Sequence, residues 1–236
     1  QFNKRKKTVI GVDQIVEWMA EKKVLTVALE GNIDQVQYTD RIKAIVEFLG
    51  PRLSADELTK IWNLQDSPNS HVMDNVHSIM SGAAAKFSLS QFELITELIE
   101  SRWKVSNDRI REKLLVLIGQ IGKEAKQIKS TQRILQLLWD VSHLNDLPKH
   151  LVERALEEHL SILNELNVNR DPMRKAYVLK CVEDIKNRKD CLLPAVKQLH
   201  AICKSYCKGG SSIYHKPDKS TLGELNKQHE IVKLLS

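Results

Sequence analysis

The spacing of apolar residues constrains the fold of this 236-residue chain more than any other feature. Leu, Ile and Val recur three and four positions apart, as in "RIREKLLVLIGQIG", whose inner face is formed by Ile110, Leu114, Leu117, Ile118 and Ile121. Such stripes are typical of amphipathic helices, and they replace the strict alternation that a half-buried strand requires. The stripes are short and polar residues separate them. We therefore predict an all-α protein of about ten helices.

Capping residues indicate where several of these helices begin. Ser54 to Glu57 and Ser90 to Glu93 both fit the capping box, in which a Ser hydroxyl and a Glu carboxylate each accept a backbone N–H of the first turn. Ser106 or Asn107 is expected to cap the helix that follows. Asp171-Pro172 predicts a cap followed by the first helical residue.

Two Trp-centred segments, "LTKIWNLQDSP" and "LQLLWDVSHLNDLP", share a pattern of aliphatic residues around the ring. Trp62 and Trp139 lie 77 residues apart (139 − 62), which is about two helix pairs. We expect both rings to be buried at contacts between helices. The duplication favours an irregular α-solenoid of stacked helical hairpins, of the HEAT or armadillo kind, over an irregular helical bundle.

The distribution of Gly, Ser, Pro and Lys divides the chain into four parts. Residues 1–11 are predicted to be a basic flexible tail, and residues 12–207 a helical-repeat domain. The stretch "KGGSSIYHKPDKST" predicts a flexible loop over residues 208–221. Residues 222–236 are predicted to be the last helix. Because the sequence starts with Gln1 and its final residues keep helical apolar spacing, we expect it to be an excerpt of a longer protein.

The net charge of +6 is unevenly distributed along the chain. Lys4 to Lys7 supply four of these charges, and this run is either a solvated tail or a nuclear-import signal. Residues 102–133 hold nine basic and three acidic residues, whereas residues 134–169 hold two basic and six acidic ones. Patches of alternating sign of this kind favour association with charged protein partners.

The basic segment supplies the candidate partner-binding residues, for which we select Arg109, Arg111 and Lys113. The alternatives are a solvated helix face without a partner and a nucleic-acid site. Trp103 is the one aromatic residue in this segment, whereas proteins that bind single strands combine a basic groove with several stacking rings. The acidic segments on either side would also repel phosphate. We therefore favour proteins over nucleic acid as partners.

No catalytic constellation is recognisable among the histidines. His143 and Asp146 end the second Trp helix without a nearby nucleophile or a Gly-rich turn, so a structural role is favoured. His159 stands beside Glu157 and Glu158, which we expect to be solvated. The sequence also lacks a phosphate-binding loop, a dinucleotide fingerprint and a zinc-protease motif. We predict no catalytic residue and no cofactor in this segment.

The four cysteines are expected to be reduced thiols, because all of them fall in the last quarter of the chain. Cys203 and Cys207 are one helical turn apart, near His200, but no second ligand pair stands at zinc-site spacing, so no metal is expected. Cys191 and His200 would make a protease pair on paper. However, Cys191 opens a plain amphipathic helix and lacks the surroundings of an activated nucleophile.

Five segments carry a resemblance to a known family: "EWMAEKKVLTVALEGNIDQVQY", "REKLLVLIGQIG", "ILQLLWDVSHLNDLP", "ALEEHLSIL" and "LLPAVKQLHAIC". They resemble the large N-terminal helical region of the giant ubiquitin-specific proteases related to fat facets. The resemblance runs in order from about Val12 to the end of the chain, with the loop over residues 208–221 outside it.

The resemblance implies that the parent protein is a thiol-dependent deubiquitinase. The Cys and His boxes of that family's catalytic domain are absent from these residues, so no catalytic residue carries over. The segment itself would be a noncatalytic arm that positions substrates or regulators. A stand-alone adaptor or a nucleic-acid-binding repeat protein is the alternative. The absence of an apolar run long enough for a membrane span predicts an intracellular location, cytoplasmic or, if the basic run is an import signal, nuclear.

Overall fold

The fold is that of a computed structural model, which describes residues 10–67, 69–165, 170–187, 192–207 and 219–235. These residues contain α-helices, three short 3-10 segments and no strand, which confirms the predicted all-α class. The described residues form thirteen helices rather than about ten, because several are short. They are α1 (Val12–Glu21), α2 (Val24–Leu29), α3 (Val36–Leu49), α4 (Ala55–Asn63), α5 (Ser70–Ala83), α6 (Leu89–Val105), α7 (Asp108–Glu124), α8 (Ile128–Ser142), α9 (Lys149–Glu165), α10 (Arg170–Lys186), α11 (Leu192–Cys207), α12 (Lys219–His229) and α13 (Ile231–Leu235).

The first of two compact units comprises residues 1–98, with α1 to α5 and the start of α6. Its core forms where α3 packs against α5, and Val46, Val76 and Ile79 are fully buried there. In contrast, α1 has no buried residue, and Trp18 on this helix is 54% exposed. The apolar stripe of α1 is therefore only partly covered.

The second unit comprises residues 99–236, in which α7, α8 and α9 pack on one another and α9 and α10 pack on α11. The stripe predicted on α7 lies inside, since Leu114, Leu117, Ile118 and Ile121 are fully buried. Ile110 at the start of that stripe is half-buried. Apolar burial of this kind is the main contribution to the stability of a helical fold.

Two glycines allow α7 and α9 to approach closely. A Cβ on Gly122 would lie 2.3 Å from Ile162 Cδ1 and 2.8 Å from Ile134 Cγ2, and a Cβ on Gly119 would lie 2.0 Å from Glu158 Oε2. Real Cβ atoms do not come so near to other heavy atoms, since protein interiors are close-packed. The helix pair therefore depends most on Gly122, because Ile162 and Ile134 are buried there, whereas the atoms nearest to Gly119 belong to the end of the long Glu158 side chain.

The helix starts agree in part with the predicted caps. Ser54 to Glu57 form the predicted capping box, with Ser54 N and Glu57 Oε2 at 2.8 Å. The second box is wrong by two residues: Ser88 and Gln91 make it, because Ser88 N donates to Gln91 Oε1 at 2.7 Å. The Gln91 amide also donates to the carbonyls of Gly50 and Leu53, and these contacts fix the residue at which α6 begins.

Two further predicted helix starts, those of α7 and α10, lie in the second unit. Asn107 rather than Ser106 caps α7, and its side chain accepts from Ile110 N at 3.0 Å. The prediction for Asp171-Pro172 is wrong, because α10 already begins at Arg170 and both residues lie within its first turn. Pro is tolerated there because the first N–H groups of a helix have no intrahelical acceptor.

Both Trp residues of the repeated segments are buried, as predicted: Trp62 is 4% and Trp139 6% exposed. Their surroundings differ, however. Trp62 stacks on His77 with ring centroids 6.2 Å apart, whereas Trp139 contacts three rings, those of His143, His159 and Tyr177. The two segments therefore share a buried Trp, but the side chains around that Trp differ.

The end of the chain differs from the prediction of a loop over residues 208–221 and one helix over residues 222–236. Residues 208–218 of that loop lie outside the described residues, as do Lys4 to Lys7 and Cys191. α12 begins at Lys219, and α12 and α13 are separate helices. Glu230 between them has φ 52°, in the left-handed region that interrupts a helix.

Candidate partner-binding surface

The turn between α6 and α7 is held by hydrogen bonds at every residue. Ser106 Oγ donates to the Arg102 carbonyl at 2.7 Å, and Asn107 caps α7. Arg111 then reaches back across the turn, because its Nε donates to the Trp103 carbonyl at 3.2 Å and its guanidinium lies 5.5 Å from the Trp103 ring centroid. Arg111 also pairs with Asp108 at 3.3 Å. The turn is therefore a rigid element of the second unit.

The three residues selected from the sequence occupy different environments on α7. Arg109 is exposed, whereas Arg111 and Lys113 are half-buried. Residues two apart on a helix point in nearly opposite directions, so Arg109 and Arg111 do not form one patch. Arg109 and Lys113 are four residues apart and share a face. Binding to a partner through all three stays a prediction, but Arg111 is already committed to Trp103 and Asp108.

Carboxylates divide the rest of the basic segment into separate parts. Arg133 pairs with Glu100 at 2.6 Å, and Lys123 pairs with Glu165 at 3.4 Å. The exposed Lys126 and Lys129 follow at the far end of α7, and the helix rise separates Arg109 from Lys123 by about 21 Å. The nine cations therefore do not form one continuous stripe of uncommitted charge.

His143 does not associate with Asp146 but with Asp184. Its Nε2 lies 3.3 Å from Asp184 Oδ2, and its Nδ1 lies 2.7 Å from the Trp139 carbonyl, as expected for a His that meets the end of its own helix. Asp146 is exposed and has φ 61°, at the turn before α9. The structure thus gives His143 a packing role between α8 and α10.

A buried polar cluster around His159 was missed by the sequence reasoning. His159 is fully buried, and its Nδ1 lies 2.8 Å from Gln198 Nε2, 39 residues away. Its ring stands perpendicular to that of Tyr177 at 4.2 Å between centroids. Because Gln198 donates to Nδ1, the neutral ring carries its proton on Nε2, which has no hydrogen-bond partner among the described residues.

Burial changes the protonation of this cluster. It lowers the pKa of His159 to about 3, with smaller contributions from the positive charges of Lys180 and His143. Burial, with a smaller contribution from Asp140, likewise raises the pKa of the Tyr177 hydroxyl. Both side chains are therefore neutral at physiological pH. They pack in the core and do not serve as an acid and a base.

The expectation that Glu158 is solvated is wrong, because its side chain is buried against Gly119 of α7. Burial raises the pKa of Glu158, and the nearby positive charge of Arg154, at 2.7 Å, partly opposes this effect. Glu157, one residue earlier, is exposed as expected. Gly119, which has no Cβ, thus leaves room on α7 for the Glu158 carboxylate of α9.

The three described thiols differ in their burial. Cys181 is fully buried, Cys203 is half-buried and Cys207 is exposed, and none is in a disulfide. Burial, with a smaller contribution from Cys207, raises the pKa of the Cys203 thiol, which disfavours the reactive thiolate. No group of three or more His, Cys, Asp or Glu within the described ranges has the arrangement of a metal site.

A groove of about 390 Å³ in the first unit is lined by residues of α1, α2 and α4, among others. The lining includes the apolar Met19 and Leu25 and charged residues of both signs, such as Lys23, Lys60 and Asp56. Neither a Cys nor a His is among the described residues that line it. The groove therefore offers shape and charge but no reactive group.

Comparison with known proteins identifies relatives over the whole length of the chain. The family described as UBP24/USP9X/USP9Y ARM repeat matches residues 1–236. Ubiquitin carboxyl-terminal hydrolase 24 of Mus musculus and that of Homo sapiens are each 42% identical over 258 residues, covering 100% of this chain and 10% of the relative. The probable ubiquitin carboxyl-terminal hydrolase FAF of Drosophila melanogaster is 28% identical over 197 residues, covering 82% of this chain and 7% of the relative.

These matches bear on two of the predictions. The armadillo-repeat description confirms the predicted class of stacked helical repeats and the predicted family. The chain spans about a tenth of the length of these two relatives, 10% in each case. Among the described helices, none combines the length and the hydropathy of a membrane span.

Proposed function

Because the chain belongs to the armadillo-repeat family of the large ubiquitin carboxyl-terminal hydrolases, we propose that it is a noncatalytic arm of a deubiquitinase that binds proteins. The parent would be a thiol-dependent ubiquitin-specific peptidase, as the names of the relatives suggest. The arm would position substrates or regulators of that activity inside the cell, in the cytoplasm or the nucleus.

The state of the thiols carries the noncatalytic part of the proposal. A cysteine nucleophile requires a stabilised thiolate and a base within hydrogen-bond reach. Cys203 has the opposite environment, because burial favours its protonated form, and Cys181 is fully buried, out of reach of a substrate. The buried His159 is held by Gln198, not by a thiol. These contacts support a packing role for the groups that a thiol protease would use.

The exposed charges support the binding part of the proposal. The second unit combines uncommitted cations at the α6–α7 turn with the acidic residues of α9, such as Glu157. Opposite charges presented on a rigid helical surface accelerate association with complementary proteins and make it sensitive to salt. We expect the affinity for a protein partner to fall as ionic strength rises, chiefly through slower association.

The noncatalytic assignment is tested with ubiquitin reagents. The purified chain should not hydrolyse a fluorogenic ubiquitin C-terminal amide, and a thiol-reactive ubiquitin probe should not label it, while a catalytic domain of a ubiquitin-specific protease serves as the positive control. Cys191 lies outside the described residues, so the Cys191→Ser variant is included. Probe labelling that disappears in Cys191→Ser would contradict the proposal.

A further inference from the structure

The α6–α7 corner, defined as Lys104, Val105 and Arg109, combines exposed positive charge with the most exposed large apolar side chain among the described residues. We propose that this corner binds an acidic segment of a partner protein, with an aliphatic side chain of that segment placed on Val105. The inference rests on the proposed function, because it names the partner class for the same surface.

The corner is rigid before any partner arrives. Its three residues lie at the last turn of α6 and the first turn of α7, on either side of a connection fixed by Ser106, Asn107 and Arg111. Arg111 joins the two helices, because the same guanidinium covers the Trp103 ring and hydrogen-bonds the carbonyl of that residue. A surface that is already ordered loses little conformational entropy on binding.

The corner carries two positive charges, those of Lys104 and Arg109. Asp108, which precedes Arg109 in the sequence, is paired with Arg111 at 3.3 Å. Lys104 and Arg109 are exposed, and neither forms an ion pair with a described residue. The corner therefore attracts carboxylates from outside the chain.

Val105 gives the corner an apolar centre. It is the last residue of α6 and its side chain is 81% exposed, although a single exposed apolar residue is common on protein surfaces. Its significance comes from its neighbours in the sequence, because Lys104 stands one position before it and Arg109 four positions after it, across a two-residue turn. An apolar contact surrounded by complementary charges is the usual composition of a protein–protein contact.

The same geometry disfavours nucleic acid as the occupant. A single strand would need an exposed ring on which bases stack, but Trp103 is 8% exposed and Arg111 covers its face. A phosphate backbone would also need several uncommitted cations in a row. Along the rest of the basic segment, Lys123 and Arg133 are already paired with Glu165 and Glu100.

The test uses two fluorescein-labelled hexapeptides, each with two central leucines. One has two glutamates on either side, and the other has lysines in their place. Binding to the whole chain is followed by fluorescence anisotropy up to about millimolar protein. We expect the glutamate peptide to bind with an affinity that falls with added salt, and the lysine peptide not to bind.

Three variants locate the binding. The double variant Lys104→Glu/Arg109→Glu should lower the affinity for the glutamate peptide roughly tenfold or more, and Val105→Ser should lower it severalfold. The matched control, Lys126→Glu/Lys129→Glu, makes the same change in net charge at the connection from α7 to α8 and should alter affinity by less than about twofold. All substituted side chains are exposed, and far-UV circular dichroism checks that each variant is folded.

Several outcomes would overturn the inference. They are no binding of the glutamate peptide, equal binding of the lysine peptide, or equal weakening by the control variant. Tighter binding of a single-stranded oligonucleotide, lost in the Lys104→Glu/Arg109→Glu variant, would assign the corner to nucleic acid instead. These failures leave the noncatalytic arm intact, whereas labelling by the ubiquitin probe would remove that proposal whatever the peptides do.

Discussion

Acidification should destabilise the chain through His159 before it affects most carboxylates. The imidazole is fully buried, and burial lowers its pKa from 6.5 to about 3 in the folded chain. Between these values the unfolded chain binds a proton that the folded chain does not. Stability therefore falls as pH decreases below about 6.5, and the loss continues until the folded-state pKa is reached.

The size of this effect follows from the same pKa values. Each pH unit in this window costs about 1.4 kcal/mol, so lowering the pH from about 6.5 to about 5 should remove about 2 kcal/mol of the free energy of unfolding. The measurement is urea-induced unfolding followed by far-UV circular dichroism at about pH 7 and about pH 5. Carboxylates also begin to titrate in this range, so the wild-type value alone does not isolate His159.

The His159→Asn variant isolates the contribution. Asn retains an acceptor oxygen near the position of Nδ1, where Gln198 donates, but it has no ionisable group. The variant should be less stable at neutral pH because it leaves a cavity, and its loss of stability between the two pH values should be about 2 kcal/mol smaller than that of wild type. His150→Asn, an exposed position on the same helix α9, is the matched control and should behave as wild type. If His159→Asn and wild type lose the same free energy on acidification, His159 is not the buried neutral group described above.

Two further pairs of substitutions test the packing of the helices. Gly122→Ala should destabilise the chain by roughly 1–3 kcal/mol, because the new Cβ would lie 2.3 Å from Ile162 Cδ1. Gly223→Ala, whose Cβ would have nothing within 4 Å, should instead stabilise the chain by about 0.5–1 kcal/mol. Equal effects of the two variants in urea unfolding would contradict the close approach of α7 and α9. Trp139→Ala should cost about 3–5 kcal/mol, the usual range for a core aromatic. The sequence alone predicts a far smaller loss for His143→Ala, but its contacts with Trp139 and the buried Asp184 raise the expected loss to about 1–3 kcal/mol, and a negligible loss would show that these contacts contribute little.

The helices were predictable because their evidence is local. Apolar spacing on α7 and the capping box at Ser54 depend on residues within a few positions of each other, and both predictions agree with the structure. The box at α6 shows where local evidence fails. Ser88 with Gln91 and Ser90 with Glu93 fit the same pattern, and the choice between them depends on carbonyls of Gly50 and Leu53 some 40 residues away, at separations of 41 and 38 positions.

Side-chain roles were less predictable because they depend on distant partners. His159 looks like any helical His, and its burial follows from Tyr177 and Gln198, which belong to later helices. Arg109 and Arg111 carry the same side chain two positions apart, yet one is exposed and the other is held over Trp103. Helical periodicity indicates that they point in different directions, but it does not indicate which direction contains a tryptophan.

The tryptophans differ in their exposure to solvent, so a fluorescence quencher can distinguish them. Of its four tryptophans, Trp18 is 54% exposed, whereas the most exposed of the other three, Trp103, is 8% exposed. A water-soluble quencher such as iodide therefore reaches one indole in the folded chain, and that indole lies on α1 of the first unit. The quenchable part of the intrinsic fluorescence thus reports on a single helix, while the protected part reports on the interiors of both units.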